Sequence, residues 1–179
     1  MPSVMLSIRP KYVYRIMRGE KTCEVRKTKP RLETPFICHV YATKGKDRLF
    51  DVIKDGDMNY GEVYHGKPVF IKVSEPERYQ VPVQHVVGSF VCDKIIEVTP
   101  ETLGEQIKNG ELNGFSTSLT VDEFMKYMGT KCYLWHISNY ASYRPPKQLS
   151  DFMSYGAVDG HYIKVPPQSW CYIEEWKYE

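Results

Sequence analysis

Lys21, Glu24 and Arg26 fall within six residues, so an ammonium, a carboxylate and a guanidinium share one short segment. The planar fork of Arg26 suits a phosphate or the edge of a base. Lys21 is a compact cation that could meet a phosphate. Glu24 could accept from a base amine, or it could hold Lys21 and Arg26 in place. The same trio could also do acid–base work without a metal, with Lys21 as base or electrostatic stabiliser and Glu24 as acid or base. A plain structural ion-pair cluster is the competing account.

Further cations surround this trio. Arg9 follows the first apolar run, and Lys27, Lys29 and Arg31 extend the positive stretch. Residues 1–50 hold 12 of the 24 basic residues and only 4 of the 22 acidic ones, a net +8, whereas residues 51–179 carry −6. Such asymmetry points to an anionic partner on one side, although a solvated charged face has the same pattern. A second group is aromatic: Trp135, His136, Trp170 and Tyr172, with Ser138 closing the segment Trp135-His136-Ile137-Ser138. Single-stranded RNA is held by stacking on aromatic faces, so a tryptophan at a cleft would supply a platform. Tryptophans on strands are also common in cores. No metal is expected, because the five histidines show no HxxxH spacing and no CxxC pair occurs. No glycine motif for a nucleotide cofactor is present, and no cofactor is expected.

The elements that must position these groups follow from periodicity. Val4–Ile8 reads as a strand. Pro10 suits a helix start, and Tyr12, Val13, Ile16 and Met17 recur at helical spacing, with Lys11, Arg15 and Arg18 on another face and Gly19 as the stop. Residues 22–27 alternate: Cys23 and Val25 point one way, while Thr22, Glu24 and Arg26 point to an exposed or cleft-facing side. Residues 36–43, 69–73, 86–98, 131–142 and the end around Trp170–Ile173 read as strands. Thr99–Lys108 and Thr120–Met128 read as helices, the second with a capping box at Thr120 and Glu123. Arg144-Pro145-Pro146 reads as a stiff turn, and Gln148–Met153 as a helical turn.

Strands and short helices that do not alternate regularly favour an α+β, barrel-like domain. At 179 residues the prior is one domain over 1–179, with 44–85 and 105–130 as loop or helical insertions. Five scattered cysteines argue for small buried hydrophobes rather than a disulfide framework. No run approaches a membrane span, and the amino-terminus lacks a signal-peptide layout, so the expectation is a cytoplasmic protein with no membrane partner.

Leu6-Ser7-Ile8-Arg9-Pro10, followed by Gly19-Glu20-Lys21-Thr22-Cys23-Glu24-Val25-Arg26, resembles the signature of ASCH domains. Val87–Cys92, Trp135–Ser138, Arg144–Phe152 and Pro166–Tyr172 resemble later segments of bacterial and phage members, so the likeness spans roughly residues 4–173. The resemblance implies a PUA-like fold, a small mixed β-barrel with short helices at the rim and a cleft between. It also implies work on RNA. Some small relatives are amidohydrolases acting on modified cytidine, with a lysine and a threonine nucleophile. Lys21 matches that lysine, whereas Glu24 stands where the threonine would be. Other relatives are ribonucleases.

Three readings follow. The first is a binding module for single-stranded RNA or a nucleotide-like ligand, using Arg9, Lys21, Glu24, Arg26, Lys27, Trp135, Ser138 and Trp170. The second is a hydrolase of RNA or modified nucleosides, with Lys21 and Glu24 as the catalytic pair. The third is a protein-interaction module, which an exposed tyrosine-rich patch would support.

Overall fold

Val4, Met5 and Leu6 have no exposed surface at all, and the strand they belong to lies near the middle of the largest sheet. The computed structural model describes residues 2–46, 49–52, 63–64, 67–68, 71–74, 78–108, 111–112, 114–156 and 161–175; of 49–52, 63–64, 67–68, 71–74, 78–80, 104–108 and 111–112 it describes the backbone. The first elements in chain order are β1 (Ser3–Ile8), α1 (Pro10–Met17), β2 (Cys23–Arg26) and β3 (Phe36–Ala42). Short strands follow: β4 (Leu49–Val52), β5 (Val63–Tyr64), β6 (Lys67–Pro68), β7 (Ile71–Ser74) and β8 (Arg78–Val81). Next come β9 (Val86–Cys92), β10 (Ile95–Val98), α2 (Pro100–Gln106), β11 (Ile107–Lys108) and β12 (Glu111–Leu112). The chain continues through α3 (Val121–Met128), β13 (Cys132–His136), β14 (Ser138–Lys147), a single 3-10 turn (Leu149–Asp151) and β15 (Trp170–Ile173).

The expected α+β class holds, with two principal sheets and few helices. One sheet has the order β14-β9-β3-β1-β15 and the other the order β10-β13-β2. The barrel is met only in part, because strand pairing among the described residues does not close into a ring. Within residues 44–85, β4, β8 and β7 make a small sheet of their own, and β5 pairs with β6. Residues 47–48, 53–62, 65–66, 69–70 and 75–77 of that segment lie outside the described ones.

β1 and β3 pair in parallel, with α1 and β2 in the crossover. Pro10 opens α1, and Val13 and Ile16 turn into the core while Lys11, Arg15 and Arg18 stay exposed. Gly19, at φ +71°, takes the left-handed conformation that ends the helix. One core forms around β1, β3, β9, Trp135 and the buried face of α1. A second lies on the other side of β2 and β13, where Cys23, Val25, Cys132 and Leu134 meet Phe124 and Met128 of α3. Thr120 and Glu123 form the expected capping box at the start of α3. The five cysteines are free thiols; four are buried and Cys171 is partly so.

Four sequence expectations need correction. The apolar run 86–98 is two strands, divided at Asp93-Lys94, and the run 131–142 is divided at Ile137. Gly88 lies within β9, where a Cβ would collide with the Ala141 carbonyl and the Tyr140 ring, so glycine permits the close approach of β14. Arg144-Pro145-Pro146 is part of β14 rather than a turn. β14 is an edge strand with a register shift between Ser142 and Lys147, and prolines there cost no ladder hydrogen bond. Lastly, β2 is buried on both faces, whereas the alternation predicts one exposed or cleft-facing side. Two separate cores cover it, one on each face.

Candidate functional site

The turn after α1 delivers the charged trio to β2. The backbone N–H groups of Glu20 and Lys21 both donate to the Arg15 carbonyl, which wraps the chain tightly around the helix end. β2 then pairs with β13 so that Glu24 lies opposite Trp135 and Arg26 opposite Tyr133. The three side chains converge as the spacing predicts. Glu24 Oε2 lies 3.3 Å from Lys21 Nζ, and Glu24 Oε1 lies 3.0 Å from an Arg26 Nη1. Lys21 Nζ donates to the carbonyls of Cys23 and Thr117, each at 2.7 Å. Arg26 Nη2 donates to the Ser7 carbonyl at 2.8 Å.

What the sequence missed is burial. The side chains of Lys21, Glu24 and Arg26 are 3, 7 and 12% exposed. The open electropositive groove expected at this trio is therefore replaced by an enclosed network that ties β2 to β1 and to the 116–118 segment. Charges are tolerated there because each meets an opposite charge or a carbonyl. The network is not saturated: Glu24 Oε2, Arg26 Nε and Trp135 Nε1 are buried without a hydrogen-bond partner. Trp135 is wholly buried, so it belongs to the core and offers no open stacking face. With Lys21 held by two carbonyls and a carboxylate, this geometry is that of a tether between elements.

A half-buried aromatic row with basic residues beside it lies on β15, at the edge of the five-stranded sheet. Trp135 packs on Trp170 (ring centroids 5.8 Å), Trp170 on Tyr172 (5.3 Å) and Tyr172 on Tyr155 (6.4 Å). The row starts in the core and ends at Tyr155, which is 51% exposed. β15 enters this position because Ser7 grips the incoming chain: its N–H donates to the Ser169 carbonyl and its hydroxyl to the Pro167 carbonyl. The loop after β2 lies against the row. Trp170 Nε1 donates to the Thr28 hydroxyl at 2.9 Å, and the Arg31 N–H donates to the Tyr172 hydroxyl at 2.6 Å. Lys29 and Arg31 are exposed on that loop.

The other candidates are dispersed. Arg9 is exposed at the N-cap position of α1 and makes no side-chain cap there. Lys27 turns to the second core, where its ammonium donates to the Met128 carbonyl and lies 5.0 Å from the Tyr127 ring centre. Ser138 donates to the Val91 carbonyl across the β14–β9 pair.

Three arrangements were not legible as sites. His136 Nδ1 lies 2.6 Å from Asp93 Oδ1, with Phe115 stacked on the imidazole at 4.6 Å. Burial pushes the Asp93 carboxyl up, but hydrogen bonds from His136 and Ser138 outweigh it and hold the group below its usual range. His39 is buried against Phe152 and bonded to the Tyr143 hydroxyl at 2.7 Å; burial pushes its imidazole down to about 4. A cleft of about 370 Å³ opens between α1 and the segment leading into α3, lined by Lys11, Tyr12, Arg15, Ser118, Thr120 and Glu123 among others. The helical spacing of Lys11 and Arg15 was a usable signal for it; the facing wall, a hundred residues away in sequence, was not. Among the described residues no cluster of three or more His, Cys, Asp or Glu could hold a metal ion, and no helix is long and apolar enough to cross a membrane.

No protein-family model and no curated protein matches the sequence. Solved structures do match. A crystal structure of ASCH from Zymomonas mobilis is 18% identical and covers 97% of this chain and 88% of its own, with a TM-score of 0.59. A tyrosine-to-phenylalanine variant of that protein is 16% identical over 98% of this chain and 92% of its own, also at 0.59. A serine-to-alanine variant is 18% identical with the same coverage, at 0.58. At such identities the likeness is one of fold, and it agrees with the motifs around Ser7–Pro10 and Gly19–Arg26: this chain is built on the ASCH fold.

Proposed function

We propose that this chain binds single-stranded RNA or a nucleotide-like ligand, with bases stacked along Trp170, Tyr172 and Tyr155 and phosphates met by Lys29 and Arg31. The observation that carries the reading is the aromatic row laid beside the basic loop and stitched to it by the Trp170–Thr28 and Tyr172–Arg31 hydrogen bonds. Alternating π-faces and cations are what an unpaired strand requires, since every base can stack and every phosphate needs a counter-charge. A duplex keeps its bases stacked on each other and gains nothing from such a row. The buried trio then acts indirectly, by fixing β1 and β2 and hence the loop and β15.

The test is fluorescence anisotropy with a labelled oligouridine at several salt concentrations. Trp170→Ala is expected to weaken binding by about 1–3 kcal/mol, the range for losing one stacked base. Wild-type protein that shows no saturable, salt-dependent binding, or a Trp170→Ala variant that binds as tightly as wild type, would sink the proposal. A second reading has its own support. Met153 and Tyr162, paired across a β-bridge, are 38 and 52% exposed, which is the kind of surface a protein partner covers. RNA binding that survives Tyr162→Ser unchanged would separate that patch from the RNA surface.

A further inference from the structure

The cleft between α1 and the start of α3 is separate from the aromatic row, and its lining has a chemistry of its own. Lys11 and Arg15 stand four residues apart on the exposed face of α1 and supply two cations. Glu123 faces them with a carboxylate, while Ser118 and Thr120 add hydroxyls. The walls are held from behind. Arg15 Nη1 donates to the Ser118 carbonyl at 3.2 Å, and the buried Lys21 ammonium donates to the neighbouring Thr117 carbonyl. The cleft is therefore braced by the charged network rather than bounded by a free loop. Its volume of about 370 Å³ suits a small molecule and lies at the low end of the usual range for such pockets.

The mixture of charges narrows the ligand. A plain anion would meet two cations but also the Glu123 carboxylate, which repels it. A ligand with an anion at one end and hydroxyl donors at the other uses all three groups: the cations take the anion and the carboxylate accepts from the hydroxyls. Carboxylates serve sugar hydroxyls in this way in dinucleotide sites. The capping bonds from the Thr120 N–H and hydroxyl both fall on Glu123 Oε2, which leaves Oε1 for a ligand. We infer that this cleft takes a small phosphorylated sugar with vicinal hydroxyls, its phosphate between Lys11 and Arg15 and its diol on Glu123. That chemistry is presented both by a free sugar phosphate or nucleoside monophosphate and by the 5′-phosphorylated end of an RNA strand.

Isothermal titration of the full chain with ribose 5-phosphate and 2-deoxyribose 5-phosphate tests the inference. Ribose 5-phosphate is expected to bind saturably and more tightly than the deoxy sugar by about tenfold, the worth of one hydrogen bond to a charged group at the low end. Arg15→Gln and Lys11→Gln are each expected to weaken ribose 5-phosphate about tenfold. Glu123→Gln preserves the capping box, because glutamine serves that motif as well, so the variant keeps its helix while losing most of the preference for ribose. Competition between ribose 5-phosphate and a 5′-phosphorylated oligouridine, but not its 5′-hydroxyl counterpart, would assign the site to a strand end. Absence of such competition would assign it to the free metabolite. Ribose 5-phosphate that fails to bind, that binds no better than the deoxy sugar, or that is indifferent to Arg15→Gln would overturn the inference. The aromatic row takes no part in the cleft, so either outcome leaves the RNA-binding test to stand or fall separately.

Discussion

The charged trio on β2 and the cations on the loop that follows are neighbours in sequence and opposites in environment. Lys21, Glu24 and Arg26 are enclosed and committed to one another and to the carbonyls of Ser7, Cys23 and Thr117. Lys29 and Arg31, three and five residues beyond Arg26, stand in solvent beside a row of aromatic rings. The same residue types thus do different work. Enclosed, a charge is held by its partners and cannot be given up to a ligand without leaving them unpaired. Exposed, it has no carboxylate to leave behind (Lys29 has only the Tyr133 ring, 5.6 Å away) and can exchange its water for a phosphate. Density of positive charge in a sequence locates a region of interest, and burial decides which of its members can touch a ligand.

The strongest way to break this contrast is to remove the central carboxylate. Glu24→Gln keeps the shape but leaves two buried cations without their anion, and unfolding free energy measured by urea titration is expected to fall by about 3–5 kcal/mol. A loss below about 1 kcal/mol would mean that the trio is solvated in solution. Next in size is a pH effect from the interior. His39 is buried with its imidazole pushed down to about 4 from an ordinary 6.5. The unfolded chain therefore binds the extra proton first, and stability is expected to fall as pH drops through the window from 6.5 to 4, by roughly 3 kcal/mol over its full span. Thermal melts of wild type and His39→Phe across that window check it, since the variant should show a flatter profile there.

The smallest effect sharpens the other side of the comparison. Arg31→Gln removes an exposed cation, so the melting profile is expected to stay within about 0.5 kcal/mol of wild type. In RNA titrations the same variant should lower the slope of log affinity against log salt by about 1, as the loss of one phosphate contact does. If instead Arg31→Gln destabilises the fold and leaves the salt slope untouched, the division between tethering and binding cations is drawn in the wrong place.

Much of this molecule was legible before any coordinates. The helix face of Val13 and Ile16, the stop at Gly19 and the Thr120–Glu123 cap follow from local spacing and side-chain chemistry, and all are in the structure. Period-two alternation correctly put Glu24 and Arg26 on one face of β2, because side-chain direction in a strand is fixed by the backbone itself. Alternation is silent on what covers that face. Trp135, Ser7 and Thr117 reach it from strands and loops far away in the chain, and only their packing turned a predicted open rim into an enclosed network. For the same reason the prolines of Arg144-Pro145-Pro146 were read as a turn: their tolerance in β14 depends on its place at the edge of a sheet, which no local pattern records. Sequence set the types, spacing and directions of the side chains. Tertiary structure alone decided which of them meet water, since exposure is a property of the layers on either side rather than of the segment itself.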